Sequence, residues 1–119
     1  MMEASDDSAV LRVDRVPHPD GLELALHGEL DNDTLTIAQD EVAAAEADAP
    51  AVLVLDLARL EYVDSCGVRL VLLAQHVADD GGRRLAVRLG HGQTRRMFDM
   101  LGITDRLEVL DRDDREDPS

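Results

Sequence analysis

Tryptophan and lysine are missing from this 119-residue chain, and Cys66, Phe98 and Tyr62 are its only cysteine and aromatic residues. One cysteine allows no internal disulfide, no zinc framework and no Cys-x-x-Cys redox pair, so the composition fits a reducing compartment. With so few aromatic rings there is no platform on which nucleic-acid bases could stack. The twelve basic residues, all arginine, are scattered against 26 carboxylates, and the formal net charge is −14. Phosphate backbones are held by clustered cations, so nucleic acid is not the expected ligand and a protein partner, a basic one among the candidates, is favoured. The acidic N-terminus, Met-Met-Glu-Ala-Ser-Asp-Asp-Ser, lacks the basic and apolar regions of a secretory signal. No apolar run reaches the roughly 18 residues that a bilayer requires, and the chain is expected to be cytoplasmic, without direct membrane insertion.

What the chain does have is aliphatic bulk: 45% of its residues are hydrophobic. A single domain of this length can bury roughly 65% of its unfolded surface without metals or disulfides. Leu11 and Val13, then Leu22, Leu24 and Leu26, alternate with polar or small residues as half-buried strands do, and Pro17-His18-Pro19-Asp20-Gly21 between them marks a turn. This predicts an antiparallel hairpin. From Asp33 to Ala47 the residues Leu35, Ala38, Val42 and Ala45 fall at helical spacing, with Asp33 as the expected cap. Ala51 to Leu57 is nearly all apolar, as a strand covered on both faces is. A helix follows from about Cys66 to Asp80, then a strand over Arg84 to Leu89, a helix carrying Thr94, Met97, Phe98 and Leu101, and an edge strand over Leu107 to Leu110.

The order β-β-α-β-α-β-α-β predicts an α/β fold: one domain, residues 9–110, with a four- or five-stranded mixed sheet and helices packed against it. Residues 1–8 and 111–119 are charge-dense and carry too little apolar surface to offset the entropy of ordering them; both are expected to be flexible tails.

Ser65 stands where the apolar stretch Leu53 to Val63 turns into the long helix. The first amides of a helix lack intrahelical partners and sit at the positive end of the dipole, so a phosphate on a serine there need not unfold the helix. The same serine also suits a plain structural role as the helix N-cap, and Asp31 and Asp64 likewise suit turn and capping roles. Beyond it, Arg69, Leu72, Leu73, His76 and Asp80 share one side of the helix, a mixed face expected to stay partly exposed. There is no Gly-x-Ser-x-Gly elbow, Walker loop or glycine-rich dinucleotide turn, and no enzymatic activity, cofactor or metal is expected. His18, His27, His76 and His91 lie on separate elements and read as surface residues, and Cys66 as a small buried hydrophobe.

Three segments in this order carry a resemblance over roughly residues 8–110: Gly28-Glu29-Leu30-Asp31; Leu55-Asp56-Leu57 followed by Val63-Asp64-Ser65-Cys66-Gly67; and the Gly82 turn, strand and Arg95-Arg96-Met97-Phe98 helix ending at Leu101-Gly102-Ile103. The chain resembles the STAS domain family, and within it the bacterial anti-sigma factor antagonists. The resemblance implies that Ser65 is phosphorylated by a cognate anti-sigma factor, a serine kinase that uses ATP, and that the unmodified protein binds this kinase and releases a sigma factor. It leaves room for a phosphatase as a further partner. Asp31 and Asp64 match the acidic residues near the phosphorylated serine, while Cys66 stands where Ser or Thr is frequent and Arg69 where a small or aliphatic residue is common. The surface expected to meet the partner comprises Asp31, Asp64, Cys66, Gly67, Arg69, Leu72, Leu73 and His76. Similar domains also serve as subunits of lipid-transport ATPase complexes or of stress-signalling assemblies, a second role the resemblance permits.

Overall fold

In the computed structural model, residues 10–110 are described; the expected tails and the outer limits of the domain lie outside them. Strand β1 (Leu11–His18) pairs antiparallel with β2 (Gly21–Leu30), forming the predicted hairpin. Its turn is tighter than the proline-rich segment implies, because Pro17 still pairs with Leu22 and His18 with Gly21. Helix α1 (Leu35–Ala47) leads to β3 (Val52–Asp56), which lies parallel to the first half of β2. Strand β4 (Leu60–Val63) follows after only three residues and pairs in parallel with the end of β2. Helix α2 (Ser65–Asp80), β5 (Arg84–Arg88), α3 (Gln93–Met100), a short 3₁₀ turn (Thr104–Arg106) and β6 (Val109–Leu110) complete the order.

The sheet runs β1-β2-β3-β5-β6, with β4 attached to β2. It has six strands rather than four or five, because Leu60–Val63 is a strand and not part of the turn into α2. Gly28 makes the extra pairing feasible. It sits at a register shift where β2 leaves β1 and meets β4, its φ is +103°, and a Cβ there would stand 2.2 Å from the Val10 carbonyl oxygen. Only glycine adopts that backbone and tolerates that approach without strain.

Side chains alternate across the sheet. Leu22, Leu24, Leu26 and Leu30 of β2, Leu53 and Leu55 of β3, and Leu85 and Val87 of β5 join Leu35, Ala38, Val42 and Ala45 of α1 and Leu70, Val71, Ala74 and Ala78 of α2 in one aliphatic core. Phe98 of α3 closes this core and is fully buried. Glu23 and Arg88 point from the strands out of that core and pair, Arg88 Nε to Glu23 Oε2 at 3.2 Å, with His18 Nε2 2.9 Å from the other Glu23 oxygen. Glu23 and Arg88 are both buried, so removing either would leave the other's charge short of a partner. Among the described residues, no helix is long and apolar enough to cross a membrane.

Candidate functional site

The ends of β2 and β4 carry the site. Leu30, at the end of β2, passes its carbonyl to the Asp64 amide at 3.3 Å, which ties the entrance of α2 to the sheet. The Asp31 carboxylate folds back onto its own loop, accepting from the Asp33 amide at 3.0 Å and the Thr34 amide at 3.1 Å. The Thr34 hydroxyl donates to the Glu29 carbonyl at 2.9 Å. Asp33 is therefore not the cap of α1. The N-cap is Thr34, so the helix starts one residue later than a cap at Asp33 implies, and the loop-closing carboxylate comes from Asp31, whose side chain reaches the amides two and three residues on.

At α2 the capping residue is Asp64, whose Oδ1 accepts from the Cys66 amide at 2.8 Å. Its carbonyl also accepts from the Gly67 amide at 2.9 Å. Ser65, which suited the N-cap by sequence, is instead the first helical residue and is exposed. Two adjacent residues compete for one capping position, and the carboxylate takes it. The serine hydroxyl is left outside the cap, on the surface.

Cys66 and Gly67 are buried, and neither can offer a side chain to a partner. Their expected place in the contact surface is corrected accordingly: they pack beneath it. A Cβ on Gly67 would stand 2.4 Å from Val63 Cγ2, so glycine lets the first turn of α2 lie directly on β4. Burial pushes the Cys66 thiol above its ordinary range, and the neighbouring Asp64 carboxylate adds to the effect. A thiol held protonated is a packing group and not a redox-reactive one.

Along α2, Arg69, Leu72, Leu73, His76 and Asp80 are all exposed, with Leu72 at 42% and Leu73 at 47%. His76 Nε2 lies 3.6 Å from Asp80 Oδ2. Leu73 also borders an apolar groove of about 260 Å³ between α1 and α2. Beside Ser65, an open cleft of about 480 Å³ is lined by Glu29, Asp31, Asn32, Asp33, Tyr62 and Asp64. Asp31 and Asp64 thus meet in space across a gap of 32 positions in sequence. Of the other lining residues, Glu29 is expected from the sequence only as part of a resemblance segment and Asp33 only as a helix cap, while Asn32 and Tyr62 have no expected role. Tyr62 carried the one usable signal, being one of two aromatic residues in the chain yet 45% exposed.

The surface holds one further correction. The stripe expected on α3 is only half buried: Thr94 and Phe98 face the core, whereas Leu101 lies past the helix end and is 54% exposed.

The family model described as "Mlab, STAS domain" matches residues 9–111. The chain belongs to the STAS domain family. No curated protein matches it. Among solved structures, it is similar to an anti-sigma factor antagonist from Mycobacterium paratuberculosis, at 21% identity and a TM-score of 0.78, over 84% of this chain and 85% of that one. The anti-sigma factor antagonist SpoIIAA in its unphosphorylated form matches at 21% identity and a TM-score of 0.70, over 83% and 86%. The Bacillus cell fate determinant SpoIIAA in the phosphorylated form matches at 20% identity and a TM-score of 0.64, over 85% and 89%. The shared architecture is the STAS fold that the sequence motifs resemble.

Proposed function

We propose that this protein is an anti-sigma factor antagonist: unmodified, it docks on an ATP-using anti-sigma serine kinase through the Ser65 end of α2, and phosphorylation of Ser65 weakens that complex. The observation that carries this reading is the exposure of Ser65 at the first position of α2, outside the cap, between an acidic cleft and the exposed Arg69-Leu72-Leu73-His76 face. The similarity to anti-sigma factor antagonists, one of them solved in a phosphorylated form, supports it. In the transfer step, Ser65 Oγ forms a bond to the γ-phosphorus of ATP, the bond from that phosphorus to the ADP oxygen breaks, and the hydroxyl proton leaves. The kinase supplies the catalysis and this chain is its substrate.

Phosphorylation adds a charge of about −1.5 to −2 next to Asp64 and Asp31. At an effective dielectric near 20, two unit charges about 5 Å apart repel by roughly 3 kcal/mol before screening. A third of that, felt against an acidic group of the partner facing Ser65, whatever the partner's overall charge, weakens binding about fivefold. Incubation with candidate anti-sigma kinases and ATP, followed by mass-spectrometric mapping, is expected to place the phosphate on Ser65. Modification elsewhere would reject the reading.

A second role stands beside it because the matching family model is described by the Mlab name and not by sigma control. In that role the domain is a subunit of a lipid-transport ATPase complex. It would copurify with a membrane permease, and Ser65→Ala would leave the assembly intact without any phosphate at that position.

A further inference from the structure

Arg69 lies one helical turn beyond Ser65, and both residues are exposed. Side chains at i and i+4 on a helix are neighbours, and helical side chains lean toward the N-terminus, so a long residue at position 69 reaches back over position 65. The favourable order for an ion pair at this spacing is the anion first and the cation four residues later. That is the order a modified Ser65 would create. Arg69 takes part in no ion pair with another described residue. It is close enough to the first turn for its charge to act on the Cys66 thiol.

Two of the first amides at this helix end are already engaged. The Cys66 amide is taken by the Asp64 carboxylate at 2.8 Å, and the Gly67 amide by the Asp64 carbonyl at 2.9 Å. The carboxylates of Asp64 and Asp31 stand nearby and oppose an added anion. A guanidinium is then the group able to offset the new charge, and it binds phosphate through paired N–H donors.

We infer that a phosphate on Ser65 is captured within the chain by Arg69, so that modification both adds an anion to the docking face and withdraws from it an exposed cation. The inference rests on the phosphorylation reading above and names what that phosphate would bind. In the unmodified protein, Arg69 stands on the same exposed face as Leu72 and Leu73 and is available to an acidic group of the partner. In the modified protein it is spent on position 65. The switch then changes two features of one surface with one covalent event.

The test uses the full chain with phosphoserine installed at position 65 by genetic encoding, and reads the second ionisation of the phosphate by phosphorus NMR. Arg69→Ala is expected to raise that pKa by roughly 0.15 to 0.4, the shift that an i, i+4 ion pair corresponds to. The difference should shrink severalfold in 1 M salt, and Arg69→Lys should recover part of it. Arg106→Ala, which removes the same charge beside Asp79, roughly 20 Å along α2, should leave the value unchanged. An identical pKa with and without Arg69, or an equal effect of Arg106→Ala, would overturn the inference. Because the phosphate is installed without a kinase, this result stands apart from the kinase experiment: a kinase that ignores Ser65 sinks the function, and an indifferent Arg69 sinks only the clamp.

Discussion

Asp64 accepts the Cys66 amide at 2.8 Å, and this one hydrogen bond takes the capping place that Ser65 would otherwise fill. With the carboxylate as cap, the serine between them has no structural duty at the helix end and is held on the surface at a fixed place. Asp64→Ala should cost about 1 kcal/mol of stability in urea unfolding, with Asp64→Asn close to the parent protein, because asparagine caps equally well. Ser65→Ala should unfold at the same urea concentration as the parent. A large loss in Ser65→Ala would mean that the hydroxyl carries the helix after all.

Gly67 tests the packing beneath the site. Alanine is the better helix former by about 1 kcal/mol, yet its Cβ would press on Val63 Cγ2 from 2.4 Å. Overpacking of this kind costs about 1–3 kcal/mol. Gly67→Ala should therefore lose up to about 2 kcal/mol in denaturant titration, and a gain in stability would show that β4 yields easily.

Cys66 links the same turn to pH. Its thiol pKa is raised above 9.0 in the folded protein by burial first and by Asp64 second. The unfolded thiol then ionises before the folded one, so stability is unaffected below the unfolded pKa and falls as pH rises above about 9. Unfolding free energy followed from pH 7 to 10 should decline less in Cys66→Ala than in the parent. Equal declines would show that the thiol is not shielded.

Arg88 and Glu23 form a buried pair on the side of the sheet away from the core. Arg88→Met keeps the length and removes the charge, leaving Glu23 with His18 as its other partner. A loss of about 3 kcal/mol is expected by urea unfolding, since breaking one side of a buried pair strands the other charge. A change within 0.5 kcal/mol would mark the pair as solvated.

The hairpin, α1, β3 and the order of elements were legible because their apolar residues repeat at strand or helix spacing over many positions. Leu60–Val63 was not. Only four residues long and with Glu61 and Tyr62 exposed, β4 exists through its parallel pairing with β2, a long-range contact that local pattern does not encode. The choice between 64 and 65, and between 31 and 33, stayed open for another reason: residues close in sequence had equal capping chemistry, Asp31 and Asp64 included, and three-dimensional closure of the loop chose between them. Leu72 and Leu73 are apolar like the buried Leu70 and Val71, so only the packed structure separates the exposed face from the core. The acidic cleft was half visible, since Asp31 and Asp64 are part of the family resemblance while Tyr62 and Glu29 join them only through the β2–β4 pairing.

Calorimetric titration of the anti-sigma kinase with unmodified protein and with the same chain carrying phosphoserine at position 65 tests the switch most directly. Binding by the unmodified chain and an affinity at least about fivefold weaker for the phosphorylated chain is the predicted result. Equal affinities would contradict it.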